Sequence, residues 1–188
     1  MNTQIDITGV VLTTDRLILR PWRDSDLDDL YEYARVDGVG QMAGWNPHKS
    51  IEESQTILSH FISGKKTFAL EYQGKVIGSL GIEKYREDNY PELADLKGRE
   101  IGYVLSKDYW GQGLMPEAVQ AVIRWLFHDA QLDFIIIGHF IHNNQSQRVI
   151  EKCGFQYVKN TTHETRFSTV ETCRDYIMYH PERSERKC

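Results

Sequence analysis

The segment WGQGLMPEA places Gly111 and Gly113 just ahead of an apolar helical repeat and just behind a β-rich run. A helix that starts this way leaves several backbone N–H groups unpaired and pointing outwards. Such a helix start attracts phosphate, and glycine removes the side chains that would keep an anion at a distance. The same pattern also serves as a plain strand-to-helix turn. Two familiar phosphate loops do not fit: a dinucleotide fingerprint needs a third glycine where Pro116 stands, and a Walker loop needs Lys followed by Ser or Thr after the second glycine.

A second segment, NNQSQRVIEKCGF, follows an apolar run later in the chain. Asn143 and Ser146 fall where a strand gives way to a helix, so each either caps that helix or reaches into a cleft at the sheet's edge. Val149, Ile150 and Cys153 fall on the core side, which makes Cys153 a packing residue rather than a nucleophile. Trp45, between Gly44 and Pro47, is either a lid over the core or one wall of a binding site, and the lone His48 nearby either contacts what binds there or is only solvated. His139 and His142 would point to opposite faces of a strand, and no HExxH or Cys/His ligand spacing occurs, so no bound metal is expected.

These residues need a scaffold, and the sequence pattern supplies one. RLILRPW reads as a strand stopped by Pro21; a helix follows, capped by Asp24 or Ser25, with Leu27, Leu30, Tyr31 and Ala34 on one face and Gly38 and Gly40 at its end. Ser50 and Glu53 form a capping box for a second helix with a stripe of Ile51, Ile57, Leu58, Phe61 and Ile62, closed by Gly64. From Thr67 to Tyr85 the period changes to two around a turn at Gln73 and Gly74, an antiparallel hairpin. REIGYVLS is a central strand, Pro116 to Phe127 a helix, FIIIGHFI a buried strand, NNQSQRVIEKC a helix stopped by Gly154, and FQYV and RDYIMY two closing strands. About seven strands interleaved with four helices predict a mixed α/β sandwich.

The chain has 188 residues, 40% hydrophobic and 26% charged, which suits one domain over 1–188 with a core from about 14 to 179. A net charge of −5, with the nearest basic stretch, Arg183 to Lys187, broken by acids, sets nucleic acid aside. No long apolar segment or signal sequence appears, and Cys153, Cys173 and Cys188 form no disulfide framework, so a cytoplasmic protein without a membrane span is expected.

The IGYVLS strand, the WGQGLM loop opening a helix with Glu117 and Ala118, and the block Asn143, Ser146, Val149, Lys152, Gly154 and Phe155 together resemble the Gcn5-related N-acetyltransferases (GNAT). TDRLILRPW, WNPH followed by SIEES, and EIGYVLS resemble the RimJ/RimL-like branch, whose members acetylate protein N-termini among other amines. The resemblance runs from about Thr14 to Tyr179. It implies a mostly antiparallel central sheet in which the strands 100–106 and 134–141 splay apart, with acetyl-CoA as donor. The pantetheine arm would pair with the backbone near Val104 and Leu105 and with Asn143, and the N–H groups from Gln112 to Met115 would hold the pyrophosphate. Ser146 would protonate the leaving thiolate, a backbone N–H of the 100–106 strand would stabilise the oxyanion, and Glu100, or else Glu83, would take the amine's proton; a structural pairing of Glu100 with Arg99 stands beside that role. The acceptor would be a protein N-terminus or a small amine, with Trp45 as one wall of its site, and the protein a monomer or homodimer. Three positions depart from the family pattern: Trp110 replaces Gln or Arg, Met115 replaces Gly or Ala, and Ile150 stands where many members have a tyrosine acid. They leave open a non-catalytic acyl-CoA sensor.

Overall fold

The computed structural model describes residues 1–184; Cys188 and the Glu185–Lys187 part of the basic stretch lie outside the described residues. In chain order the elements are β1 (Leu12–Thr13), β2 (Leu17–Pro21), α1 (Leu27–Ala34), α2 (Ile51–Gly64), β3 (Thr67–Tyr72), β4 (Lys75–Glu83), β5 (Gly98–Leu105), α3 (Leu114–His128), β6 (Phe134–Phe140), α4 (Asn144–Lys152), β7 (Gln156–Glu164) and β8 (Val170–Tyr179), with a last helical turn at Pro181–Ser184. All eight strands join one sheet in the order β1-β2-β3-β4-β5-β6-β8-β7. The eighth, beyond the seven that periodicity predicts, is β1, a two-residue pairing too short to leave a pattern.

Strand alternation decides what each face meets. In β2, Leu17 and Leu19 are buried and Ile18 is exposed. Leu17 and Leu19 join Phe68, Leu80, Ile101 and Ile137 in a core that α3 closes with Ala118, Val119, Val122 and Leu126. Burying a side chain such as Leu126 contributes about 1.5–3 kcal/mol. On the opposite face Leu30 of α1 and Leu58 of α2, with Trp22 just after β2, cover Ala69 and Val76. A mixed sheet between helical layers is the result.

Local details differ from the sequence pattern for identifiable reasons. Neither Asp24 nor Ser25 caps α1; the buried Asp26 accepts the Arg23 N–H at 2.8 Å, because its carboxylate is fixed by Arg20 at 2.8 and 2.9 Å. The helix ends at Ala34, ahead of Gly38 and Gly40. In α2 the Ser50 hydroxyl accepts the Glu53 N–H at 3.4 Å, and Glu53 returns a bond to the Lys49 N–H at 2.7 Å. Only Ser54 and Leu58 of α2 are buried, since Ile57, Phe61 and Ile62 ride on the rim of the smaller core. The left-handed residue that ends α2 is Lys65, one position beyond Gly64.

The sheet is antiparallel except between β5 and β6. That parallel pair runs from Gly98 opposite Phe134 to Ile101 opposite Ile137 and then stops. Beyond it, β5 stays paired to β4 as far as Leu105, and β6 to β8 as far as Phe140. Each strand is thus held by its outer neighbour while the two diverge, and the gap between them is a built feature of the sheet.

Candidate active site

A cavity of about 340 Å³ opens on the α3/α4 side of this gap, lined by Tyr103, Leu105, Gly113, Asn143 and Ser146 among others. The ladder determines which backbone groups of β5 face it. Ser106 donates its N–H to Ile77 at 2.8 Å, so the even-numbered residues, Val104 included, direct N–H and C=O towards β4, and Tyr103 and Leu105 direct theirs into the gap. Val104 therefore reaches the cavity with its side chain only. One of the free carbonyls has a partner of its own: Trp110 donates its indole N–H to the Leu105 oxygen at 2.8 Å.

At the cavity mouth α3 begins with Gly113 as N-cap at φ 76°. Among the described residues no acceptor outside the helix is supplied to the N–H groups of Gly111, Gln112, Gly113, Leu114 and Met115. Arg16 holds this loop in place: its Nε lies 2.7 Å from a Glu117 oxygen, its Nη1 donates to the Gln112 carbonyl at 2.9 Å, and Thr14 donates to the same carboxylate at 2.5 Å. Met115 is buried in the main core. Free N–H groups at a helix start, next to a gap between strands, fit a diphosphate with an extended amide-bearing arm. Replacing Gly113 by Val forces a β-branched residue into left-handed backbone, at about 1–2 kcal/mol. The dissociation constant for acetyl-CoA, measured by calorimetric titration, is expected to rise about tenfold; an unchanged constant would show that these N–H groups do not contact the donor.

Ser146 lies in the first turn of α4, where the Asn143 side chain accepts its N–H at 3.0 Å. The other end of that amide donates to the Met42 carbonyl at 3.3 Å, so both ends of Asn143 are engaged in holding the wall. The Ser146 hydroxyl stands 2.8 Å from the Tyr103 hydroxyl, which is also 3.2 Å from the Ser146 carbonyl oxygen. Burial pushes the Tyr103 phenol well above its ordinary range, so it stays protonated and able to donate. Sequence reading missed Tyr103, although its alternation with Ile101 and Leu105 was available as a signal.

A second cavity, about 370 Å³, lies across the gap and shares Met42, Ala43, Tyr103 and Ser146 with the first. Glu100, Glu83, Arg86, Tyr90 and Asp175 are among its lining. Glu100 is pushed up to about 7, chiefly by burial and further by the charges of Asp175 and Glu83, with Arg86 opposing. It makes no hydrogen bond or ion pair with any described side chain. Arg99 does not pair with it, because the Arg99 Nε donates to the Thr3 carbonyl at 2.5 Å. Glu83 is committed to an ion pair with Lys66.

The acceptor wall is not built as the sequence suggests. Trp45 lies outside the linings of both cavities and is half-buried against the smaller core, its ring centroid 5.2 Å from that of His48. His48 is buried, bonded to the Ser54 hydroxyl at 2.7 Å, and lowered in pKa by that burial. The same loop reaches the gap through its preceding turn, Gly40–Ala43, whose Met42 and Ala43 cover both cavities. Cys153 is buried, and burial pushes its thiol up to about 11, an inert packing group. Ile150 is fully buried in the core. Among the described residues no group of three His, Cys, Asp or Glu could hold a metal ion, and no helix is long and apolar enough to cross a membrane.

Strands held apart at a helix start rich in free N–H groups, with a hydroxyl pair and an unpaired carboxylate on the two sides of the gap, define the class of acyl-CoA-dependent N-acyltransferases. The acetyltransferase (GNAT) domain model matches residues 16–156, and the chain belongs to that family. It is 32% identical over 153 residues, 78% of this chain and 82% of the relative, to the uncharacterized N-acetyltransferase YoaA of Bacillus subtilis. It is 23% identical over 157 residues, 79% of this chain and 84% of the relative, to the ribosomal-protein-serine acetyltransferase of Escherichia coli, in keeping with the RimJ/RimL-like branch. A GNAT-family acetyltransferase structure from Bacillus anthracis superposes with a TM-score of 0.78 over 91% of this chain and 99% of that one; at 21% identity it shows the fold alone. The protein is an N-acetyltransferase that takes its acetyl group from acetyl-CoA.

Proposed function

We propose that the protein transfers acetyl to a primary amine by direct attack in a ternary complex, with the donor in the first cavity and the acceptor in the second. The observation that carries this reading is the gap between β5 and β6, which joins the two cavities at Ser146 and Tyr103. The N–H groups of Gln112 to Met115 hold the pyrophosphate, and the backbones of Tyr103 and Leu105 receive the pantetheine arm as an added strand would. Asn143 fixes the wall on which that arm lies. Glu100 takes a proton from the amine, the Tyr103 N–H faces the carbonyl under attack, and Ser146 gives its proton to the departing sulfur. Tyr103 positions the Ser146 hydroxyl and replaces its proton.

The acceptor is a protein N-terminus or a small amine. The E. coli relative's name supports the first, and the carboxylates of the second cavity support any cationic acceptor. The unpaired, buried Cys153 and Cys173 support work in the cytoplasm. Ile150 and Met115 are absorbed into the core, which removes their weight in favour of a non-catalytic sensor. Free-thiol release from acetyl-CoA with N-terminal peptides, polyamines and aminoglycoside-like amines in turn tests the reading. Ser146→Ala and Tyr103→Phe are each expected to lower kcat about 10- to 100-fold, with KM for acetyl-CoA within about twofold of the wild type. Wild-type kcat in both variants would remove this hydroxyl pair from the reaction.

A further inference from the structure

Beside Glu100 and Glu83, the second cavity holds a third carboxylate to which neither the sequence pattern nor the family resemblance gives a part. Asp175 lies on β8 between Gly138 of β6 and Lys159 of β7. One of its oxygens accepts the Tyr90 hydroxyl at 2.6 Å, and the other accepts the Thr161 hydroxyl at 2.9 Å. It comes close over β6 only because residue 138 is glycine: a Cβ there would stand 2.9 Å from the Asp175 oxygen. Both donors are neutral. The nearest ammonium above Tyr90, that of Lys159, sits 3.8 Å over the ring and donates to the Asn89 carbonyl instead. The Asp175 carboxylate is fixed in place by hydroxyl groups and has no counter-ion among the described residues.

An aliphatic amine reaches the site as its ammonium ion, since its pKa lies well above neutrality. It needs an acceptor held in place to receive the ammonium and a separate group that can accept its proton. Glu100, unpartnered in the same cavity, is suited to the second task, and Asp175, held by two hydroxyl donors, is suited to the first. We propose that Asp175 is the ammonium-binding residue of the acceptor site, pairing the incoming –NH3+ and presenting it to Glu100. An N–H bond then breaks, its proton passes to the Glu100 carboxylate, and the freed lone pair on nitrogen attacks the thioester carbonyl; Asp175 is unchanged throughout. The charged and titratable groups facing Glu100 are Glu83 of β4, Lys84, Arg86 and Tyr90 of the following connection, His139 of β6, His163 of β7, and Cys173 and Asp175 of β8. Among them Asp175 is the carboxylate without a cationic partner besides Glu100 itself.

This assignment rests on the acetyl-transfer reading, and its test separates the two. The full chain, labelled with carboxyl-13C Asp and Glu, is titrated with n-butylammonium chloride, with potassium chloride as the control. In the wild type the Asp175 carboxyl signal is expected to move with butylammonium and not with potassium. Asp175→Asn keeps the side chain's shape, and both hydroxyl groups can turn to serve the amide; binding of butylammonium, followed on the Glu100 signal, is expected to weaken tenfold or more. In the same variant the midpoint of Glu100 is expected to fall from near 7 towards the ordinary carboxylate range. Gly138→Ala keeps the charge but crowds the carboxylate, and a loss of butylammonium binding there supports the same assignment should the Asn variant not fold. Butylammonium binding equal to wild type in either folded variant overturns the proposal. Failure of the acetyl-transfer reading would show separately, as butylammonium bound with no thiol released from acetyl-CoA.

Discussion

Glu100→Gln is expected to lower acetyl transfer about 100- to 1000-fold at pH 8 while making the protein more stable there. The loss of rate follows from the removal of a general base, a contribution of about 10²–10⁴ in positioned proton transfer. The gain in stability follows from the sign of the shift. The Glu100 carboxyl is held near 7 in the folded chain against an ordinary 4.5, so the folded state resists its ionisation. At pH 8 it is ionised all the same, at a cost of about 3 kcal/mol relative to the unfolded chain. Glutamine imitates the protonated form and removes that cost. The stability difference between variant and wild type is therefore largest above pH 7 and shrinks as pH falls through 7 towards 4.5. Urea unfolding at pH 5 and pH 8 measures it, and the pH profile of kcat/KM supplies the companion result: the wild type loses activity below about pH 7, whereas the residual activity of the variant lacks that limb. A variant that kept the wild-type limb would move the base to another group. A variant that lost rate with no gain in stability at pH 8 would mean that water reaches the carboxylate more freely than its burial implies.

The parts of this site legible in the sequence are those made by neighbours in the chain. Two glycines ahead of an apolar helix, or an Asn three residues before a Ser at a helix start, carry their geometry with them, because the helix start itself sets which groups are free. Thus the Gly111–Met115 loop and the Asn143–Ser146 turn could be read directly. Tyr103 meets Ser146 across 43 positions, Tyr90 meets Asp175 across 85, and Arg16 meets Glu117 across 101. Alternation with Ile101 and Leu105 gives the face on which Tyr103 lies but not its partner, and nothing local sets Tyr90, Asp175 or Arg16 apart from ordinary strand and loop positions. The gap in the sheet is similar: β5 and β6 both have good strand sequences to their ends, and their divergence arises from what each pairs with on its outer side. Trp45 shows the converse hazard. An aromatic in a glycine- and proline-rich loop looks like a binding wall, yet Trp45 packs half-buried against the smaller core, and Met42 and Ala43 of the turn at Gly40–Ala43 line the cleft.

Asp26→Ala is expected to cost about 3–5 kcal/mol of stability while leaving kcat at 20 °C little changed. Arg20 and Asp26 are both about 5% exposed and meet through two bonds of 2.8 and 2.9 Å. Glu71 binds the Arg20 Nε at 2.7 Å, and the Pro21 carbonyl accepts a further bond at 3.1 Å. Hydrogen bonding to Asp26, more than any other contact, holds the Arg20 guanidinium above its ordinary range against the opposing effect of burial. A buried pair of this kind need not be more stable than an apolar pair of the same volume, but removing one member strands the other. Alanine at 26 would leave a buried guanidinium with one carboxylate where it had two, and would orphan the Arg23 N–H that Asp26 accepts at 2.8 Å. For a chain of this length each kcal/mol moves the midpoint by about 2–4 °C, so a fall in Tm of roughly 6–20 °C is expected in a melting experiment. Asp26→Asn separates the two causes in part, since its amide oxygen retains an acceptor for Arg23 while the charge and one of the two bonds from Arg20 are lost; an intermediate loss is expected. The cluster ties β2, β3 and the entry to α1 together on the far side of β4 from the gap, and none of its members lines either cavity. A loss below about 1 kcal/mol would mean that water enters the cluster and screens Arg20. A fall in kcat matching that of Glu100→Gln would mean that α1 transmits its position, through the turn at Gly40–Ala43, to the cover of the acceptor cavity.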